Sequence, residues 1–192
     1  MRFSQILIFF VFSLLSVNTW AMPFEKEATY EVCFIPGQNC TNTIVKTIDM
    51  AKDSIYVMAY SFTSTPIAKA LSLAYKRGIK VHVILDKSQQ RTRYSSATYL
   101  YNQGIPVFID YKPTISHNKV MIIDKQSVIT GSFNFTKTAQ EKNAENVIIL
   151  TDKQIAKRYL ANWYTRYHVS LPYKATVNKT IHPKKQFRHV RR

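Results

Sequence analysis

The chain has 192 residues, of which 27 are Lys or Arg and 11 are Asp or Glu, for a formal charge of +16. Hydrophobic residues at 46% suffice for a core and exclude wholesale disorder, while two cysteines exclude a disulfide-framework miniprotein and a four-cysteine zinc site. The length fits one domain, and the charge points to polyanions, either nucleic acid or anionic lipid.

Residues 1–21 read as a secretory signal. Arg2 precedes an apolar run from Ile6 to Val17, and Ala21 suits the small-residue position before a peptidase cut. The alternative is an uncleaved anchor, but the run is well short of the about 20 residues that span a bilayer. Cleavage would remove one basic residue and no acidic one, leaving +15. The expected location is periplasmic or secreted. In that oxidising setting Cys33 and Cys40, which bracket a turn-rich stretch, are expected to form a local disulfide.

Strand-like and helix-like patterns then alternate. Tyr30–Ile35 is β-prone and stops at Pro36-Gly37, and Thr41 can cap a helix with Ile44, Val45, Ile48 and Ala51 on its apolar face. Ser54–Tyr60 reads as a buried strand, with Tyr56, Tyr60 and Phe62 packing the core rather than stacking on a ligand. A helix over Thr65–Arg77 is closed by Gly78. Strand Ile79–Leu85 ends at Asp86, a residue suited to a turn or to the rim of a site. The polar loop Lys87–Tyr94 carries Arg91 and Arg93, and a third helix runs to about Asn102.

Strand Ile105–Ile109 follows, then strands His117–Ile123 and Ser127–Thr130 joined by a hairpin turn at Asp124-Lys125-Gln126. A loop or short helix (131–142), strand Glu145–Leu150 and an amphipathic helix Asp152–His168 complete the pattern. The expected fold is one α/β domain over residues 22–171, a mixed central sheet with helices on both faces. Residues 172–192 read as a basic tail, with Lys184, Lys185 and Arg188 as substrate contacts and Tyr173 and Phe187 as stacking aromatics.

The chemistry concentrates between His117 and Glu145. On a strand, residues two apart share a face, so His117 and Lys119 project together while Asp124 points elsewhere, toward a structural hydrogen bond. Ser132 and Asn134 form a second pair that antiparallel pairing can bring beside the first. An imidazole, an ammonium, an amide and a hydroxyl around one small volume suit a phosphodiester, with one nucleophile and donors for the non-bridging oxygens.

His117-x-Lys119-x4-Asp124 followed by Gly131-Ser132-x-Asn134 resembles the signature of the phospholipase D superfamily. Met58-Ala-Tyr-Ser-Phe-Thr63, Lys76-Arg-Gly78 and Asn143-Ala-Glu145-Asn146 extend the likeness to its small bacterial single-motif endonucleases, over roughly residues 30–168. The resemblance implies that His117 attacks phosphorus and forms a phosphohistidine. It implies that Lys119 and Asn134 hold the non-bridging oxygens with Ser132 assisting, and that Glu145 hydrogen-bonds the histidine ring. Asp124 and Gly131 belong to the motif as structural positions.

Two-step hydrolysis wants a nucleophile and a separate general acid, and the chain carries one complete motif. His182-Pro-Lys184 lacks the rest of the pattern. A homodimer is therefore expected, with His117 of both subunits in one site, as in single-motif members. No His-Glu-x-x-His or paired Asp-x-Asp motif suggests metal ligands, so no metal and no cofactor is expected. The favoured reading is an endonuclease of low sequence specificity acting on DNA, with RNA as a further substrate; Arg91, Arg93 and the tail would contact it. The rivals are a phospholipase on anionic lipid such as cardiolipin, with the basic tail contacting the membrane surface, and a non-enzymatic binder that keeps the fold.

Overall fold

The computed structural model describes residues 21–175 except Arg93. Residues 1–20 of the expected signal (1–21), Arg93, and the tail residues Lys184, Lys185, Phe187 and Arg188 lie outside the described residues. In chain order the elements are β1 (Thr29–Ile35), α1 (Cys40–Asp49), β2 (Ser54–Ala59), α2 (Thr65–Lys76) and β3 (Lys80–Asp86). A 3-10 turn (Lys87–Gln90), α3 (Ser96–Asn102), β4 (Val107–Asp110), β5 (Lys119–Ile123) and β6 (Ser127–Gly131) follow. The last are α4 (Lys137–Lys142), β7 (Glu145–Thr151), α5 (Lys153–Tyr167) and the short β8 (Leu171–Pro172).

The strands form one mixed eight-stranded sheet in the order β1-β7-β6-β5-β2-β3-β4-β8. β2, β3 and β4 run parallel, and every other pairing is antiparallel. β2 reads Ser-Ile-Tyr-Val-Met-Ala and is buried at every position, as a strand covered on both faces must be. Ile55, Val57 and Ala59 join the core formed with Ile44 and Ile48 of α1, Ile67 and Leu71 of α2, and Leu100 of α3. Tyr56 and Met58 point the other way, into a smaller core with Ile84, Ile122 and Trp163 of α5. Helices thus cover both faces, as the apolar pattern requires.

Several boundaries differ from the sequence reading for local reasons. Asn39, not Thr41, caps α1, its side chain accepting from Asn42 N at 2.9 Å, while Thr41 N donates to Gln140 Oε1. β4 starts after Pro106, which has no N–H to give a ladder. β5 starts at Lys119, because its pairing with β2 ends at Ala59 and His117 lies beyond the ladder. Cys33 and Cys40 are disulfide-bonded, as expected.

The largest revision concerns Tyr173, read from sequence as a stacking aromatic of the tail. β8 pairs with β4 through Phe108↔Pro172 and Ile109↔Leu171, and Tyr173 N donates to Val107 O at 2.8 Å. Its ring is buried, packs edge-on against Tyr101 and shares a 2.6 Å hydrogen bond with Thr98 Oγ1. Tyr173 is core, and the folded unit extends past residue 171.

The hairpin joining β5 to β6 places Asp124 at φ 53° and Lys125 at φ 57°, with Gln126 N donating to Ile123 O at 3.0 Å. This is a type I′ turn, whose twist matches the strands it joins. Asp124 then accepts from the backbone N–H groups of Lys52, Asp53 and Ser54 at 2.9, 2.8 and 3.0 Å, tying the turn to the start of β2.

Candidate active site

Strand direction collects the chemistry-bearing residues along one edge of the sheet. β2, β3, β4 and β6 end there, at Ala59, Asp86, Asp110 and Gly131, and β5 and β7 begin there, at Lys119 and Glu145. Extending the Met121↔Ile129 register by two residues sets Gly131 opposite Lys119. The hairpin thereby brings Gly-Ser-Phe-Asn-Phe beside His117-Asn-Lys119.

Within residues 131–135 the two-residue alternation sorts the side chains. Phe133 and Phe135 are buried, and Phe135 O accepts from Thr63 N and Ser64 N, fastening the segment to the chain after β2. Ser132 and Asn134 alternate with these anchors. Gly131 has φ +145°, and a Cβ there would lie 2.2 Å from Asn146 O, so only glycine fits.

His117 is exposed and Lys119 is buried. The Lys119 Nζ lies 3.0 Å from His117 Nδ1, 2.9 Å from Nε2 and 3.3 Å from the His117 carbonyl. Burial lowers the Lys119 pKa below its ordinary value, and the Glu145 carboxylate opposes that shift only in part. Asn134 carries a buried side-chain oxygen with no hydrogen-bond partner among the described residues.

Two roles implied by the resemblance take a different form. Glu145 makes its hydrogen bonds to Ser132 Oγ and, at 2.7 Å, to Asn143 Nδ2; none goes to His117, whose ring nitrogens face Lys119. Ser132 donates its one hydroxyl proton to Glu145 and accepts from Asn146 N at 3.0 Å. With its proton committed to Glu145, the Ser132 hydroxyl has no hydrogen left for a second acceptor in this arrangement.

Three contributors were not among the site residues named from sequence, although Asp86 was read as suited to a turn or to the rim of a site. Tyr60, expected in the core, is half-exposed, with its ring centroid 4.7 Å from that of His117 and 5.5 Å from Lys119 Nζ. The signal was its position just past the fully buried run of β2, where a strand emerges at the functional edge. Asp86 is buried and accepts from Ser116 N at 2.7 Å and Ser88 N at 2.8 Å. Burial would raise its pKa, but these hydrogen bonds, with the charge of Lys87, hold it below the ordinary carboxylate value. It thereby fixes the residue preceding His117. Asn143 is the third, two positions before Glu145.

Arg91 lines a groove of about 500 Å³ together with Tyr60, Asp86 and Tyr111. A separate apolar groove, lined by Phe24, Tyr30 and Leu150, shares no residue with it. Leu150 is five residues along β7 from Glu145, about 16 Å. Among the described residues no group of three or more His, Cys, Asp or Glu is arranged to hold a metal ion.

A family model described as "Cardiolipin synthase, PLD-like domain" matches residues 44–165. A protein of Rickettsia prowazekii named phospholipase D is 43% identical over 157 residues, covering 82% of this chain and 77% of that one. The human mitochondrial cardiolipin hydrolase is 31% identical over 129 residues, covering 67% of this chain and 51% of that protein. Among solved structures, the phospholipase D family member Nuc from Salmonella typhimurium superposes with a TM-score of 0.74 at 39% identity, covering 77% of this chain and 99% of that one.

Proposed function

Starting from the premise that the chain belongs to the PLD-like domain family and is a phosphodiesterase of the phospholipase D superfamily, we propose that it is a metal-independent endonuclease of low sequence specificity. His117 is the nucleophile. One of its ring nitrogens attacks phosphorus, forming a P–N bond as the P–O bond to the leaving group breaks. The leaving oxygen takes a proton from a second imidazole, His117 of the partner subunit in a homodimer. That same imidazole then deprotonates water, which attacks the phosphohistidine, breaks the P–N bond and releases a phosphate monoester.

Lys119 and Asn134 stabilise the charge that builds on the non-bridging oxygens. Burial makes the Lys119 ammonium costly in the free protein, so an approaching phosphate supplies the counter-charge it lacks. Glu145, oriented by Ser132 and Asn143, favours the charged form of Lys119.

The observation that carries nucleic acid over lipid is the lining of the groove beside His117. It holds Arg91, Lys87, Gln90 and two tyrosines, whereas the apolar groove lies at the far end of β7. The formal charge of +16 supports the same choice, with affinity drawn mainly from phosphate contacts. The names of the Rickettsia and human relatives favour a second reading, hydrolysis of anionic phospholipid. We further place the protein outside the cytoplasm, exported by residues 1–21; the Cys33–Cys40 disulfide supports that setting.

The test offers purified protein plasmid DNA, RNA and cardiolipin vesicles in excess EDTA, beside His117→Ala. Nucleic-acid cleavage that survives EDTA and vanishes in the variant is expected. Lipid turnover without nucleic-acid cleavage would transfer the assignment to the second reading. Cleavage abolished by EDTA would refute the metal-free mechanism.

A further inference from the structure

Resting on the nuclease reading, we infer that the groove beside His117 is a track for one unpaired nucleic-acid strand, with Tyr60 and Tyr111 as base-stacking platforms and Arg91 as a phosphate contact.

The three parallel strands β2, β3 and β4 end side by side, and the residues just past their ends are Tyr60, Lys87 and Tyr111. In open sheets the crevice at such carboxyl ends is where ligands bind. One wall is the 3-10 turn and Arg91; the other is the loop after β4, bearing Tyr111. Lys87 Nζ donates to Pro113 O at 3.1 Å and so fastens one wall to the other.

The groove does not stop at this volume. Gln90 and Tyr111 also line an adjoining volume of about 380 Å³ that reaches Leu171 and Lys174. Gln90 Nε2 donates to Lys174 O at 2.8 Å, holding the chain there against the wall. The path therefore begins at His117, whose ring Tyr60 touches, passes between Arg91 and Tyr111, and reaches Lys174.

The chemistry of the walls selects the occupant. Tyr111 is 45% exposed and makes no hydrogen bond among the described residues, and Arg91 has no ion pair among them. Both oxygens of the Asp86 carboxylate are occupied by backbone N–H groups, of Ser88 and Ser116. Aromatic faces in a groove bind bases that have lost their own stacking neighbours, which a paired duplex does not offer. An acyl chain would leave these polar walls unsatisfied.

The experiment uses the full chain with a fluorescent single-stranded oligonucleotide, its duplex, and bis(p-nitrophenyl) phosphate, which is too small to occupy the track. The wild type is expected to show a lower KM for the single strand than for the duplex. Tyr111→Ala should raise the single-strand KM about tenfold and reduce discrimination between oligonucleotide and small diester by the same factor. Tyr111→Phe, which keeps the ring, should restore it. Arg91→Ala should flatten the slope of log KM against log salt by about 0.7. Tyr30→Ala, at the far end of the sheet, should change none of these values.

A duplex KM equal to or below the single-strand value overturns the track, as does an unchanged KM in Tyr111→Ala or an equal loss on the small diester. Those results leave nuclease activity standing. A wild type that cleaves the small diester and lipid but no oligonucleotide overturns the nuclease reading, and the track with it.

Discussion

The Lys119 ammonium stands within 3.0 Å of both ring nitrogens of His117, although His117 lies outside the β5 ladder that carries Lys119. The contact joins an exposed and a buried member of the motif. Lys119 is anchored in the sheet, paired with Ala59, and its side chain reaches up to an imidazole that faces solvent.

This arrangement sets the alkaline limit of activity. Burial lowers the Lys119 pKa from 10.5, so the ammonium is lost on raising the pH before a free lysine would lose its proton. The kcat/KM for bis(p-nitrophenyl) phosphate should therefore fall along an alkaline limb centred below pH 10.5. In Lys119→Arg that limb should move beyond the measurable range, at a reduced plateau rate. An alkaline limb unmoved by the substitution would remove Lys119 as its source.

Gly131 should be intolerant of a methyl group. Gly131→Ala combines φ +145° with a 2.2 Å approach to Asn146 O, and it should cost about 2–3 kcal/mol of stability. Because Ser132 and Asn134 follow directly, activity should fall together with the urea midpoint. A stable, fully active variant would show that β6 and β7 can separate here at no cost.

Asp124 belongs to the same sequence motif but is expected to act on stability alone. Its carboxylate serves three backbone N–H groups at the start of β2. Asp124→Asn should cost about 1–2 kcal/mol, and Asp124→Ala more, since alanine is also strained at φ 53°. In both, kcat measured below the unfolding transition should match the wild type. A specific loss of kcat in a folded variant would place Asp124 in the chemistry.

His82 should make the fold sensitive to mild acid. Its imidazole stacks on Tyr56, meets Trp163 edge-on and has a buried Nδ1 without a hydrogen-bond partner among the described residues, and burial holds its pKa below 6.5. The unfolded chain thus binds this proton more readily than the folded one. Stability from the neutral ring is fully present above pH 6.5 and is lost as pH falls through the folded value. Urea midpoints at pH 7.5 and 5.0 should differ less in His82→Leu than in the wild type, and equal differences would exclude this residue.

Much of the fold was legible because its causes are local. The unbroken apolar run of β2, the three-to-four spacing of α1 and α2 and the turn at Asp124-Lys125 each follow from neighbouring residues. The motif residues His117, Lys119, Ser132 and Asn134 could be singled out for the same reason, with Glu145 added by the resemblance. Short spacings within adjacent strands bring them to one edge under almost any antiparallel register of β5, β6 and β7.

What the local pattern left open depends on which strands become neighbours. Tyr60 meets His117 because β2 lies antiparallel to β5, so the end of one strand abuts the start of the other. Tyr173 enters the core because β8 finds the free edge of β4, a contact between segments 64 residues apart at Phe108↔Pro172. The bond between Ser132 and Glu145 and the groove shared by Arg91 and Tyr111 were likewise invisible, since each joins loops from different strands. A residue's spacing along the chain says which face it takes on its own strand. Only the order and direction of the strands decide what stands across from it, and that order is set by the packing of the whole sheet between its two helical layers.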